Sequence, residues 1–288
     1  MTEGNPLINL GDISKPATVL IEKISDAMGG YFKPYQIKRI AKAEAEAEII
    51  RAQAQIEITD LQRRALARFV AEESLKQDNM EKITQKAIPL LDESSNPQNM
   101  EDDWLANFFD KCRIVSDEEM QSLWARVLAG EANSPGAYSK RTVNFLGTFD
   151  KKDAILFTKL CGFAWILLEE MYPLVYNKDD AIYNNEGINF NTLTHLDDVG
   201  LINFDAISGF ILRKLPKRIE VSYYGQLLLV ELRNETDNNL NVGVVTLTNT
   251  GLELSKICGS RPVDGFFDHI VKVWTSKGLI LSLPYPKS

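Results

Sequence analysis

Residues 42–73 read KAEAEAEIIRAQAQIEITDLQRRALARFVAEE, and their reading organises the rest of the chain. Neither Gly nor Pro occurs from Tyr35 to Ile88, and Ala, Glu, Gln, Arg and Leu dominate. These are strong helix formers, and their propensity summed over such a window carries weight. Ala43, Ala47, Ile50, Ala54, Ile58, Leu61, Ala65 and Phe69 recur in steps of three and four, so that Ala43, Ala54 and Ala65 stand eleven apart. An eleven-residue repeat averages about 3.67 residues per turn, a straight or slightly right-handed stripe rather than a heptad seam. The expectation is one helix over residues 35–88, about 50 residues and roughly 75 Å long. The stripe is mostly Ala up to Ala54 and bulkier from Ile58 onward. A rod of this composition buries its stripe on another helix. A second copy of the chain is the simplest mate, so these eight residues are the expected oligomerisation surface. Lys42–Glu46, Asp60–Arg64 and Arg68–Glu72 are i,i+4 pairs that mark the solvated side.

Working outward, residues 1–34 form an N-terminal amphipathic segment. Ser14 is placed to cap a helix that has Pro16 in its first turn. Ala17, Leu20, Ile21, Ile24, Ala27 and Met28 line one side of that helix, and Gly29-Gly30 ends it. Its polar side mixes Glu22, Lys23 and Asp26, so it is expected to fold back on the rod or on a neighbouring chain. Peripheral membrane contact through residues 14–32 is the alternative.

The rod closes at residues 35–91, and DESSNPQN (92–99) links it to a helical set over 92–173. Three helices are expected first: Met100–Val115, one opened by a Ser116/Glu119 capping box and stopped at Gly130, and Ser139–Phe149. The apolar run AILFTKLCGFAWILL (154–168) then reads as a buried core helix over Lys151–Met171. It is too short for a membrane span, which needs roughly 20 residues. From 174 to 288 β-branched and aromatic residues alternate between turns. Strands are expected at Ile182-Tyr183, Phe210–Leu212, Ile219–Tyr224, Gln226–Leu232, Val242–Leu247 and Leu279–Leu283. Helices are expected at Phe190–Val199, from a cap at Thr248 or Asn249 through Glu253 to Ile257, and at Val263–Gly278. The fold class is therefore mainly α with a C-terminal α+β domain, the boundary lying near residues 173–180.

The helix Phe190–Val199, the GLI turn after it and the basic residues Arg213, Lys214, Lys217 and Arg218 suggest a winged-helix-like module with a basic hairpin. These four residues are the candidate contacts to a nucleic acid or a protein partner. The helix itself, FNTLTHLDDV, is acidic, so a protein partner is favoured over nucleic acid. A net charge of −8 in 288 residues points the same way.

Phosphate-loop, dinucleotide, zincin, nucleophile-elbow and paired C-x-x-C motifs are absent. No catalytic residue, metal site or cofactor is therefore expected, and the chain reads as a non-enzyme. The two histidines, His195 beside Asp197 and Asp198 and His269 beside Asp268, are the only acid–base candidates of their type. Surface or half-buried imidazoles explain them as well. Cys112, Cys161 and Cys258 are odd in number and far apart, which fits reduced thiols in a cytoplasmic protein. The N-terminus lacks a basic region followed by an apolar core, so no signal peptide is read there.

The stretches GDISKPATVLIEKISDAMGGYFKPYQIKRIAKAEAEAEIIRAQAQ, MEDDWLANFFDKCRIVSDEEMQSLWARVLAGEANSPGAYSKRTVNFL and DKKDAILFTKLCGF together resemble the bacterial family called domain of unknown function 2806. The likeness runs closely over residues 10–165 and extends into the C-terminal part. It implies a bacterial cytosolic setting, with phage defence or stress response as context, and no established activity. AEAEAEIIRAQAQ is also similar in composition to the Ala/Glu stalk of flotillin-like membrane scaffolds. The expected function is a self-associating scaffold or adaptor with a C-terminal recognition domain. The alternative is an antiviral-defence sensor or effector acting at the membrane or on nucleic acid.

Overall fold

The computed structural model describes residues 14–28 and 59–283. The chain divides into two compact units, Met1–Thr148 and Phe149–Ser288.

In the first unit, α1 (Lys15–Ala27) has Pro in its first turn and buries Ala17, Leu20 and Ile24. It packs against the Pro97–Asn99 turn and α3 (Asp102–Cys112), and Lys23 pairs with Asp102 at 2.5 Å. The apolar side of α1 is thus packed within the first unit, on the 97–99 turn and α3 rather than on the rod or a neighbouring chain.

The expected continuous rod is corrected at Thr59. Helix α2 (Asp60–Ala87) starts there, with Thr59 extended at φ −61° and ψ 155°. A capping box fixes the start: Gln62 N donates to Thr59 Oγ1 at 3.3 Å, and Thr59 N donates to Gln62 Oε1 at 2.9 Å. The local T-x-x-Q signal therefore overrides the long run of helix formers. Residues 29–58, with Ala43, Ala47, Ile50, Ala54 and Ile58, lie outside the described residues. The last third of α2 buries Asn79, Met80, Ile83, Thr84 and Ala87. It packs on α4 (Glu118–Asn133). A small buried polar network locks this crossing. Asn79 Nδ2 donates to Arg113 O at 3.0 Å, and Gln121 Nε2 donates to Asn79 Oδ1 at 3.2 Å and to Val115 O at 3.0 Å.

Helix α4 is capped by Asp117, whose carboxylate accepts from Glu119 N and Met120 N, rather than by Ser116. It runs past Gly130 to Asn133. Gly130 is a packing residue, since a Cβ there would meet the Tyr138 ring at 2.6 Å. At the next residue, the buried carboxylate of Glu131 accepts from Gly136 N and Tyr138 N at 2.7 and 2.9 Å and holds the 134–138 loop. Trp104, Phe108, Phe109 and Trp124 fill the core between α3, α4 and α5 (Lys140–Leu146).

The second unit begins earlier than the composition shift suggests. The apolar run does not form one helix to Met171. Helix α6 (Lys151–Cys161) ends at Gly162, and β1 (Ala164–Leu167) and β2 (Glu170–Pro173) follow as a hairpin. Its tip, Leu168-Glu169, has positive φ at both residues, the mirror-image turn that matches strand twist. Trp165 and Leu167 are buried, and β1 also pairs with β5 (Arg218–Tyr223). That ladder draws residues 164–173 into the α+β unit.

Ile182-Tyr183, expected as strand, sits in the short helix α7 (Ala181–Asn184). Helix α8 (Phe190–Val199) falls where the sequence places it, capped by Asn189 and ended by Gly200 at φ 90°. The strands β3 (Ile202–Phe204), β4 (Phe210–Leu215), β6 (Gln226–Glu231), β7 (Asn238–Gly243), β8 (Val245–Leu247) and β9 (Ile280–Ser282) complete three antiparallel sheets. The largest has the order β2-β1-β5-β6-β9, and β3-β8 and β4-β7 are separate pairs. Helices α9 (Asn249–Ser255) and α10 (Phe266–Ser276) close the unit. Among the described residues, no helix is long and apolar enough to cross a membrane.

Candidate functional site

Of the expected oligomerisation residues, Leu61, Ala65 and Phe69 are described, and all three are exposed on α2. Leu61 is 69% and Phe69 59% exposed, large values for such side chains.

The four basic residues do not make one hairpin. Arg213 and Lys214 lie on β4, which pairs with β7, while Arg218 opens β5 in the five-stranded sheet. Lys217 Nζ lies 2.7 Å from Glu235 Oε1 and 3.8 Å from Glu231 Oε1, and Arg218 Nε lies 3.3 Å from Glu231 Oε2. The hydrogen bond to Glu235 holds the Lys217 ammonium above its ordinary range and the Glu235 carboxyl below its own. Two of the four charges are thus already answered within the chain, which weakens a phosphate reading. Arg213 and Lys214 remain exposed, and Lys214 sits in a register shift at φ 59°.

Each histidine finds a carboxylate, though not the neighbour in sequence. His195 Nε2 lies 2.7 Å from Asp153 Oδ1 on α6. Asp197 instead accepts from Phe204 N at 3.1 Å. His269, on α10, stands 3.7 Å from Asp180 Oδ2 and packs edge-on to Tyr183 and flat against Phe266. At 3.7 Å the Asp180 contact is an ion pair when the imidazole is charged, not a hydrogen bond. Among the described residues no group of His, Cys, Asp and Glu is arranged to hold a metal ion.

The second unit also carries a cleft of about 500 Å³. One wall is the end of α6 with Thr158 and Lys159, another is Asn185 and Glu186, and the third is the 259–264 segment with Arg261 and Asp264. Two tyrosines at the tip of the β5–β6 hairpin tie the first of these walls to the third. Tyr223 Oη donates to Gly162 O and accepts from Val263 N, both at 2.7 Å. Tyr224 Oη bonds the Cys161 carbonyl at 3.2 Å and Ser260 Oγ at 2.6 Å. The tip itself is a two-residue turn, Tyr224 at φ 46° and Gly225 at φ 83°. Gly162 permits the close approach, because a Cβ there would stand 2.9 Å from Arg261 O. Alternation marks β5 and β6 as strands in the sequence, but nothing in it pairs residue 162 with 261–263.

Burial raises three phenols of the second unit. Tyr223 is pushed up to about 12, and desolvation likewise lifts Tyr176 and Tyr183. An unfolded tyrosine ionises near 10. From about pH 10 upward the unfolded chain therefore binds fewer protons than the native one, and stability falls as pH rises. In an alkaline titration followed at 295 nm and by far-ultraviolet circular dichroism, these three phenols should ionise only as ellipticity collapses. Smooth ionisation of all nine tyrosines before any loss of ellipticity would contradict their burial.

The fold and this site define a two-part protein, an α-helical unit followed by an antiparallel α+β unit with a polar cleft. The chain belongs to the family described as protein of unknown function (DUF2806), whose model matches residues 63–271. The match opens just inside α2 and ends within α10, so it takes in most of the second unit. The stretch before residue 63, which carries part of the resemblance in sequence, lies outside it. No curated protein and no solved structure matches the chain.

Proposed function

We propose that the chain is a non-enzymatic scaffold or adaptor that self-associates through the first half of α2 and uses its second unit for recognition. The observation that carries this is the change of environment along one helix. Leu61, Ala65 and Phe69 lie on one side of α2 and are exposed. Twenty-two residues further on, close to six whole turns, Ile83 and Ala87 occupy that same side and are fully buried. Glu72 and Lys76 separate the two patches, so the exposed one is a surface of its own. Burying a Leu or Phe side chain contributes roughly 1.5–3 kcal/mol, which makes a second copy of the helix a favourable cover. In the recognition unit, α8 followed by the β3–β8 ladder and α9 supports a winged-helix-like description. The ion-paired Lys217 and Arg218 favour a protein partner over nucleic acid.

Light scattering on the purified chain at micromolar concentration should report an oligomer. The double variant Leu61→Glu/Phe69→Glu should weaken association by about two orders of magnitude, the equivalent of about 3 kcal/mol. Circular dichroism of that variant should be unchanged, because both side chains are exposed. A wild-type chain that stays monomeric at these concentrations ends the proposal. Retention on anionic liposomes, or on DNA with a steep salt dependence, would move the assignment to a defence sensor or effector.

A further inference from the structure

Cys161 closes α6 and Cys258 follows α9, and neither is in a disulfide. Their side chains are neighbours in the second unit: the Cys258 thiol acts on the ionisation of Cys161, and Cys258 Sγ also donates to Ser255 O at 3.3 Å. Separate bonds hold the two backbones in place. Thr158 Oγ1 donates to Cys258 O at 3.2 Å, and Tyr224 Oη bridges the Cys161 carbonyl and Ser260 Oγ. The third cysteine, Cys112, belongs to the first unit and is fully buried.

The two thiols differ in access. Cys161 is 0% exposed, whereas Cys258 is partly open to solvent beside Gly259, where the cleft begins. Desolvation holds the Cys161 thiol well above its ordinary range. The thiolate is the nucleophile in such chemistry, so the first attack belongs to the more accessible sulfur.

We propose that Cys161 and Cys258 form a peroxide-oxidisable dithiol site whose disulfide joins two walls of the cleft. The Cys258 thiolate attacks one oxygen of a hydroperoxide, forming an S–O bond as the O–O bond breaks and hydroxide leaves. Cys258 is then a sulfenic acid. The Cys161 sulfur attacks the Cys258 sulfur, an S–S bond forms, and the hydroxyl departs as water with the Cys161 proton. In sum two thiols lose two electrons, and hydrogen peroxide is reduced to two waters. An external dithiol reverses the bond by exchange. Closure ties the end of α6, with Thr158 and Lys159, to the segment that carries Arg261 and Asp264.

The test uses the full chain and dilute hydrogen peroxide under native conditions. After denaturation without reductant, titratable thiols should fall from three to one. The intact mass should drop by two hydrogens, and a single cross-linked peptide should join Cys161 to Cys258. Dithiothreitol should restore all three thiols. Cys112→Ser should still form the bond, and Cys258→Ser should not, with circular dichroism confirming that each variant is folded. Amide hydrogen exchange over 158–162 and 258–264 should slow in the oxidised form. Three free thiols after treatment, conversion of Cys258 to sulfinic acid without a cross-link, or a bond between two chains would each overturn the proposal.

Discussion

Gly251→Ala should destabilise the second unit by about 3–4 kcal/mol, above the usual range for overpacking a core. Gly251 is buried in α9, and a Cβ there would stand 2.0 Å from the Leu201 carbonyl oxygen. That oxygen cannot retreat freely, because Thr248 N and Thr248 Oγ1 both donate to it, at 3.1 and 3.2 Å. Thr248 Oγ1 also caps α9 by accepting from Gly251 N at 3.1 Å. A shift of the helix would therefore break its own cap and the join between β3 and β8. Gly259 provides the contrast. It has φ +73°, but nothing lies within 4 Å of a Cβ built there. Gly259→Ala should cost only the left-handed backbone penalty, about 1–2 kcal/mol. Urea denaturation of both variants reads the difference. Equal midpoints would mean that the close approach of Leu201 to α9 is not what selects glycine.

Phe108→Ala should cost about 3–5 kcal/mol, the range for removing a large aromatic from a core. Phe108 is the hub of the first unit. It stacks on Trp104 at 5.1 Å between centroids and meets Phe109 and Trp124 edge to face at 5.2 and 5.1 Å. All four rings are at most 3% exposed. Trp104 is pinned further by its indole nitrogen, which donates to Tyr138 O at 2.7 Å. The cavity left by alanine has rigid walls and little means of collapse. Phe108→Leu, which keeps most of the volume, should lose under about 1.5 kcal/mol. Tryptophan fluorescence during unfolding reads both variants. A loss of only about 1 kcal/mol for the alanine variant would show that the aromatic cluster is not the centre of this core.

Legibility in the sequence followed the range of the interactions. Helix α8 was readable to the residue, because Asn189 at its start and Gly200 at its end are local signals that act within one turn. The Trp104, Phe108 and Phe109 face of α3 and the Leu123 and Trp124 face of α4 were readable for the same reason. The capping box at Thr59 was equally local, yet the surrounding run of helix formers hid it. The apolar run after Asp150 misled in the opposite way. A continuous apolar stretch does not distinguish a buried helix from a helix followed by a buried strand. Pairing of β1 with β5, some 50 residues downstream, decides the case. At the site, the sequence marked His195, His269 and the basic residues by type. It misassigned their partners, because Asp153, Asp180 and Glu235 reach them only through the fold.

By itself the sequence determined most of the helix-forming segments, their buried faces, the mixed character of the C-terminal half and the family. The first three follow from propensity, capping and periodicity, which act over a few residues; the family follows from the likeness of long motifs. Tertiary structure alone decided where the units divide, which strands share a sheet, and that Cys161 and Cys258 lie near each other beside a cleft. Those contacts join residues far apart in the chain, and the free energy that selects them is the burial of side chains no single segment can cover.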